Sequence, residues 1–83
     1  AGSYVWPTAT TDNLNMMLNL KNSNNVVITV TDMTGKLVMS QNLGNITAGK
    51  NKMTWNVANL AAGMYHITAT SAEGRMSMKF VKN

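Results

Sequence analysis

Apolar and polar residues alternate one for one through most of this chain, in short runs separated by turn-forming residues. A period of two puts successive side chains on opposite faces of an extended backbone, so each run describes a strand with one buried and one wet face. Residues 14–20 place Leu14, Met16, Leu18 and Leu20 on one side, against Asn15, Met17 and Asn19. Residues 25–32 turn Val26, Ile28 and Val30 inward, and residues 51–57 do the same with Met53, Trp55 and Val57. Residues 64–70 give Tyr65, Ile67 and Ala69; residues 75–82 give Met76, Met78 and Phe80, against Ser77, Lys79 and Val81. Residues 36–43 form a third strand in chain order with ambiguous facing, because Leu37, Val38 and Met39 are all apolar.

The breaks between runs carry turn chemistry. Asn22, Ser23, Asn24 and Asn25 make a polar loop of residues that tolerate turn conformations. Asp32 begins a turn that needs Gly35 in a left-handed conformation, and Gly49 and Gly74 stand in similar places. Two alternating runs around a Gly-containing loop predict a hairpin over residues 67–80. No stretch has a helical period; residues 56–63 have room for one turn at most. The pattern therefore predicts an all-β antiparallel sandwich of six strands, or seven if residues 3–7 pair at an edge. With 83 residues there is space for one core.

Composition excludes several kinds of chemistry. The absence of cysteine removes disulfides, thiolate metal sites and thiol nucleophiles. The net charge of +4 comes from seven basic residues spread singly: Lys21, Lys36, Lys50, Lys52, Arg75, Lys79 and Lys82. A nucleic-acid surface calls for a clustered basic patch with a reading motif, so no nucleic-acid partner is predicted. No apolar run approaches the ~20 residues a membrane helix needs, and direct membrane insertion is not predicted. The start of the chain lacks a signal peptide's basic and apolar regions, so it reads as a mature fragment or one domain of a longer protein.

Catalytic constellations are missing too. Asp12, Asp32 and Glu73 are far apart in sequence, whereas paired-carboxylate hydrolysis needs two held some 5–10 Å apart. His66, the lone histidine, brings no companion ligands for zinc and is predicted on an outward face. No serine lies in a nucleophile elbow, and the glycines are dispersed one per turn rather than gathered into a phosphate loop. No catalytic residue, cofactor or metal is assigned. The eight methionines fall mostly on inward strand positions and read as adaptable core filler. Trp55 reads as core and Trp6 as the candidate exposed ring.

The order of the remaining features is more specific than any one of them. The chain runs W-P-T-A-T-T-D-N-L-N-M (6–16), V-V-I-T-V-T-D-M-T-G-K-L-V (26–38), I-T-A-G-K-N-K-M-T-W-N-V (46–57), L-A-A-G-M-Y-H-I (60–67) and M-K-F-V-K-N (78–83). This set resembles the C-terminal sorting domain, type A, of type IX secretion cargo proteins from Bacteroidota. Such domains open with a Y-P-N-P-A-x-D-x-L-x-I-like segment, continue with a V-x-D-x-x-G-x-x-V turn and an L-x-x-G-x-Y strand start, and end on a K-F-x-V-like strand. Here Trp6-Pro7-Thr8-Ala9 stands in place of the family's Tyr-Pro-Asn-Pro, and Lys82 and Asn83 follow Val81 at the end.

The resemblance implies an Ig-like sandwich of about seven strands, with residues 1–13 an N-terminal segment or linker and possible edge strand, and 14–83 the sorting domain proper. It implies a secretion signal carrying a larger cargo through periplasm and outer membrane to the cell surface or beyond. Its partners would be the type IX translocon, shuttle proteins and a surface sortase that cuts upstream of about Leu14. It would be a substrate, with no catalysis of its own. Asp32 and Gly35 match the family's turn; Leu60, Gly63 and Tyr65 match its strand start, a spacing that resembles a tyrosine corner. Lys79, Phe80, Val81 and Lys82 form the segment assigned to translocon recognition, because a terminal strand near a sheet edge offers backbone groups and alternate side chains to a partner. The competing reading is an accessory Ig- or fibronectin-like module, a spacer or a carbohydrate binder with Trp6 as stacking ring.

Overall fold

The computed structural model describes residues 3–83 and contains only strands, turns and loops. Residues 1 and 2 of the N-terminal segment lie outside the described residues. The strands are β1 (Tyr4–Trp6), β2 (Ala9–Thr10), β3 (Asn13–Leu20), β4 (Asn24–Asp32), β5 (Leu37–Ile46), β6 (Gly49–Asn56), β7 (Gly63–Ser71) and β8 (Gly74–Lys82). They form a three-stranded sheet in the order β1-β3-β6 and a five-stranded sheet in the order β2-β8-β7-β4-β5. The predicted all-β sandwich is what forms. The additional strand, β2, is too short to show any period, and it runs parallel to β8 rather than antiparallel.

Local pattern explains the sheets. The alternation in β3, β4 and β7 turns Leu14, Met16, Leu18, Leu20, Val26, Ile28, Val30, Tyr65, Ile67 and Ala69 into the space between the sheets. Phe80 from β8 and Val57 complete the buried set. Fully burying one such side chain stabilises by about 1.5–3 kcal/mol, so these residues dominate the folding free energy. Met16 is buried, and Met39, Met53, Met76 and Met78 pack against the core as partly buried filler. Met33 and Met64 are exposed.

The ambiguous strand, β5, has no fully buried residue. Leu37 and Val38 face solvent while Met39, Leu43 and Ile46 lean on the core. Its ladder with β4 shifts register between Val26 and Val27 and again between Val30 and Thr31, so no single period describes its facing. The β7–β8 hairpin runs in unbroken register from Gly63↔Lys82 to Ser71↔Gly74, as the sequence predicts.

A candidate recognition strand and its supports

β8 is held from both sides at its end. On one side the ladder pairs Tyr65 with Phe80 and His66 with Lys79. On the other, β2 pairs Ala9 with Val81 and Thr10 with Lys82. The Val81 amide donates to the Thr8 carbonyl (2.8 Å) and the Asn83 amide to the Thr10 carbonyl (2.9 Å). The edge of β8 at Val81 and Lys82 is therefore covered.

Side chains of the four residues assigned to recognition divide by the strand's period. Phe80 is 1% exposed and Lys82 9% exposed, both on the core face. Lys79 is exposed and Val81 half-buried on the outer face. Lys82 fits inside because its aliphatic stem packs while the Nζ donates to the Asn83 carbonyl at 3.1 Å.

The supports lie in the turns. The Tyr65 hydroxyl donates to the Ala61 carbonyl at 2.5 Å, and the Leu60 amide donates to the Val57 carbonyl at 3.0 Å. Together they tie the start of β7 to the loop before it, and Leu60 packs on the core. Gly63 sits at φ +151°, which admits this sharp approach. At the β4–β5 turn one Asp32 oxygen accepts from the Thr34 hydroxyl (2.6 Å), the Thr34 amide (2.9 Å) and the Lys36 amide (3.0 Å). The Thr34 hydroxyl is the largest cause holding the Asp32 carboxyl below its ordinary range, with the Lys36 and Thr34 amides adding to it. Gly35, at φ +86°, donates its amide to the Asp32 carbonyl.

Two supports were not legible in the sequence. Glu73 lies in the β7–β8 turn, but its carboxylate reaches the β3–β4 connection. It accepts from the Asn22 amide (2.8 Å), the Lys21 amide (3.2 Å) and the Asn24 side-chain amide (2.8 Å). The Asn22 and Lys21 amides hold its carboxyl below the ordinary range. A cleft of about 630 Å³ opens beside it, between residues 19–21 and 71–76. The carboxylate there is already engaged by amides, so Glu73 is not a free acid or base in the cleft. The second is Thr10, buried, whose hydroxyl donates to the Asn13 carbonyl and accepts from the Asp12 amide at 3.3 Å. The nearest signal to it is the turn chemistry of Thr10 and Asp12, which does not show the burial.

The remaining candidates are scattered. His66 is half-buried on the outer face of the larger sheet, opposite Lys79 and Thr31. Trp55 is half-buried and donates its indole N–H to Gln41 at 2.8 Å. Trp6 packs on Tyr4 with centroids 5.4 Å apart, and the Lys52 ammonium lies 6.0 Å from its ring. Among the described residues no three His, Asp or Glu side chains come together as a metal site.

With the corner, the turn and the held terminal strand in place, the family comparison decides the matter. The model of the secretion-system C-terminal sorting domain matches residues 4–83. The chain belongs to the type IX secretion C-terminal sorting domain family. No curated protein matches it significantly. A sorting domain of this kind marks a cargo for secretion or cell-surface export and interacts with the type IX secretion machinery. The family is not itself catalytic, and the match favours sorting over the accessory-module reading.

Proposed function

We propose that this sorting domain is read at its terminal strand by the outer-membrane translocon and its shuttle proteins, in a host of the Bacteroidota. The cargo reaches the periplasm by its own leader, and the domain acts there as an address label without catalysis. A surface sortase of cysteine-peptidase type then cuts upstream of about Leu14, or before residue 1, and the cargo is attached to anionic lipopolysaccharide or released. Residues 14–83 serve as the sorting unit, with 1–13 as linker and edge strand.

The observation that carries this reading is the family match over residues 4–83, which includes the terminal strand. Its support within the strand is a division of labour. Phe80 and Lys82 are buried and hold the segment in register, while Lys79 and Val81 face outward where a partner can meet them.

Residues 1–83 fused behind a periplasmic reporter in a type IX-competent host are expected to carry it to the surface. Removing residues 79–83 is expected to strand it in the periplasm. Because that deletion also removes Phe80, the paired variant Lys79→Ala/Val81→Thr, which spares the core, is the sharper test. Full export of the folded double variant overturns the role given to the outward face.

A further inference from the structure

The register of β2 covers β8 only at Val81 and Lys82. Beyond them, from Gly74 to Phe80, no strand is hydrogen-bonded to the same edge of β8 among the described residues, although β1 of the other sheet comes near β8. N–H and C=O groups of alternate residues point to the same side of a strand. Since Val81 and Asn83 donate toward β2, Arg75, Ser77 and Lys79 point their backbone groups at the open edge. This edge is straight: the β7–β8 register is continuous, whereas the β4–β5 ladder that carries the opposite edge of the same sheet is broken by two shifts.

Charge says what kind of strand fits. Arg75 and Lys79 are exposed on the outer face, four residues apart. Across the ladder they face Thr70 and His66, with Ser77 opposite Thr68, so no carboxylate stands beside them in the sheet. In the next strand the corresponding positions are Val27, Thr29 and Thr31. Directly opposed cross-strand residues have Cβ atoms about 4.5–5.5 Å apart, close enough for opposite charges to attract and like charges to destabilise. A second copy pairing antiparallel about Ser77 would set Arg75 against Lys79 twice over, which disfavours self-association.

We propose that the open edge of β8 binds an extended acidic peptide segment as an added strand, with carboxylates opposite Arg75 and Lys79. The proposal deepens the export reading, on which it rests for the source of the segment: a component of the secretion machinery. Main-chain hydrogen bonds to residues 75, 77 and 79 supply affinity, and the two basic side chains supply selectivity. Val81, Lys82 and Asn83, covered by β2, hold the strand in place for this pairing.

The test begins with the folded chain in solution. The probe is a short synthetic peptide of Val and Thr carrying two glutamates four residues apart; its control has lysines in their place. The acidic peptide is expected to shift the amide resonances of Arg75, Ser77 and Lys79 and to slow their hydrogen exchange about tenfold or more, the control to do neither. Ser77→Pro removes an edge N–H while leaving the ladder to β7 intact, a position where proline is tolerated. It is expected to weaken binding at least tenfold, as is Arg75→Glu/Lys79→Glu, which needs no backbone change. Shifts located elsewhere, equal binding of both peptides, or a dimer lost in Ser77→Pro would each overturn the proposal. In the reporter host both variants are expected to lose export. If they export normally while the unaltered fusion does too, strand addition is wrong and the export reading stands. If the unaltered fusion stays in the periplasm, the export reading is wrong, and the peptide titration alone judges the edge.

Discussion

The ring of Phe80 stacks on that of Tyr65, with centroids 5.4 Å apart and planes inclined by 19°. The two are partners in the β7–β8 ladder, so this contact joins the corner at the start of β7 to the strand assigned to recognition. The contact lies on the core face, beneath the outward Lys79 and Val81, so it affects the presented surface only through the position of the strand.

Replacing Phe80 with alanine is expected to cost about 3–5 kcal/mol, the range for emptying a large buried site. Phe80→Leu, which keeps most of the volume, is expected to cost well under half of that. Denaturant midpoints compare the two. A loss below about 1 kcal/mol for the alanine variant would mean that the site refills by collapse and that the stack is dispensable.

Tyr65→Phe isolates the hydroxyl. The ring and its stack on Phe80 remain, and only the bond to the Ala61 carbonyl is lost. The expected cost is about 1 kcal/mol. Hydrogen exchange should rise at the start of β7 before it rises in the middle of the strand. An unchanged midpoint would remove the corner from the list of supports.

Acid should loosen the two turns held by carboxylates. Asp32 and Glu73 both titrate lower in the folded chain than unfolded, through the Thr34 hydroxyl and the Asn22 amide respectively. The unfolded chain therefore binds more protons in that window. The stabilisation is complete above the unfolded carboxylate range and is lost as pH falls through the folded values. A plot of melting temperature against pH is expected to drop through and below the carboxylate range. Asp32→Asn/Glu73→Gln should flatten that drop, since neither replacement titrates. An equally steep fall in the double variant would sink this assignment.

Gly35→Ala tests the β4–β5 turn. Space around its Cα is open, yet its φ of +86° penalises any Cβ through the local backbone. The expected loss is about 1–2 kcal/mol, without disturbance of the core. Gly35→Asn should lose less, because asparagine visits this region more readily. Equal losses for both would point to some other cause.

The long strands were legible because a period of two is a local property. Leu14, Met16, Leu18 and Leu20 announce a buried face without reference to any other part of the chain. Turn residues act locally too, which is why Asp32 and Gly35 could be placed beforehand. Facing failed at β5, where two register shifts break the alternation. β2 could not be seen because two residues show no period, and its hydrogen bonds reach some seventy positions along the chain, from Thr8 to Val81. Glu73 was hidden for the same reason, its partners Lys21 and Asn22 lying about fifty positions away.

By itself the sequence determined an all-β sandwich, its core face, its turns and its resemblance to a sorting-domain family, because these follow from side-chain period, turn chemistry and motif order. Only the tertiary structure decided which parts of the terminal strand a partner can reach. The unpaired edge at Arg75, Ser77 and Lys79 depends on where β2 stops. That point is set by pairing between distant segments, which no local pattern encodes.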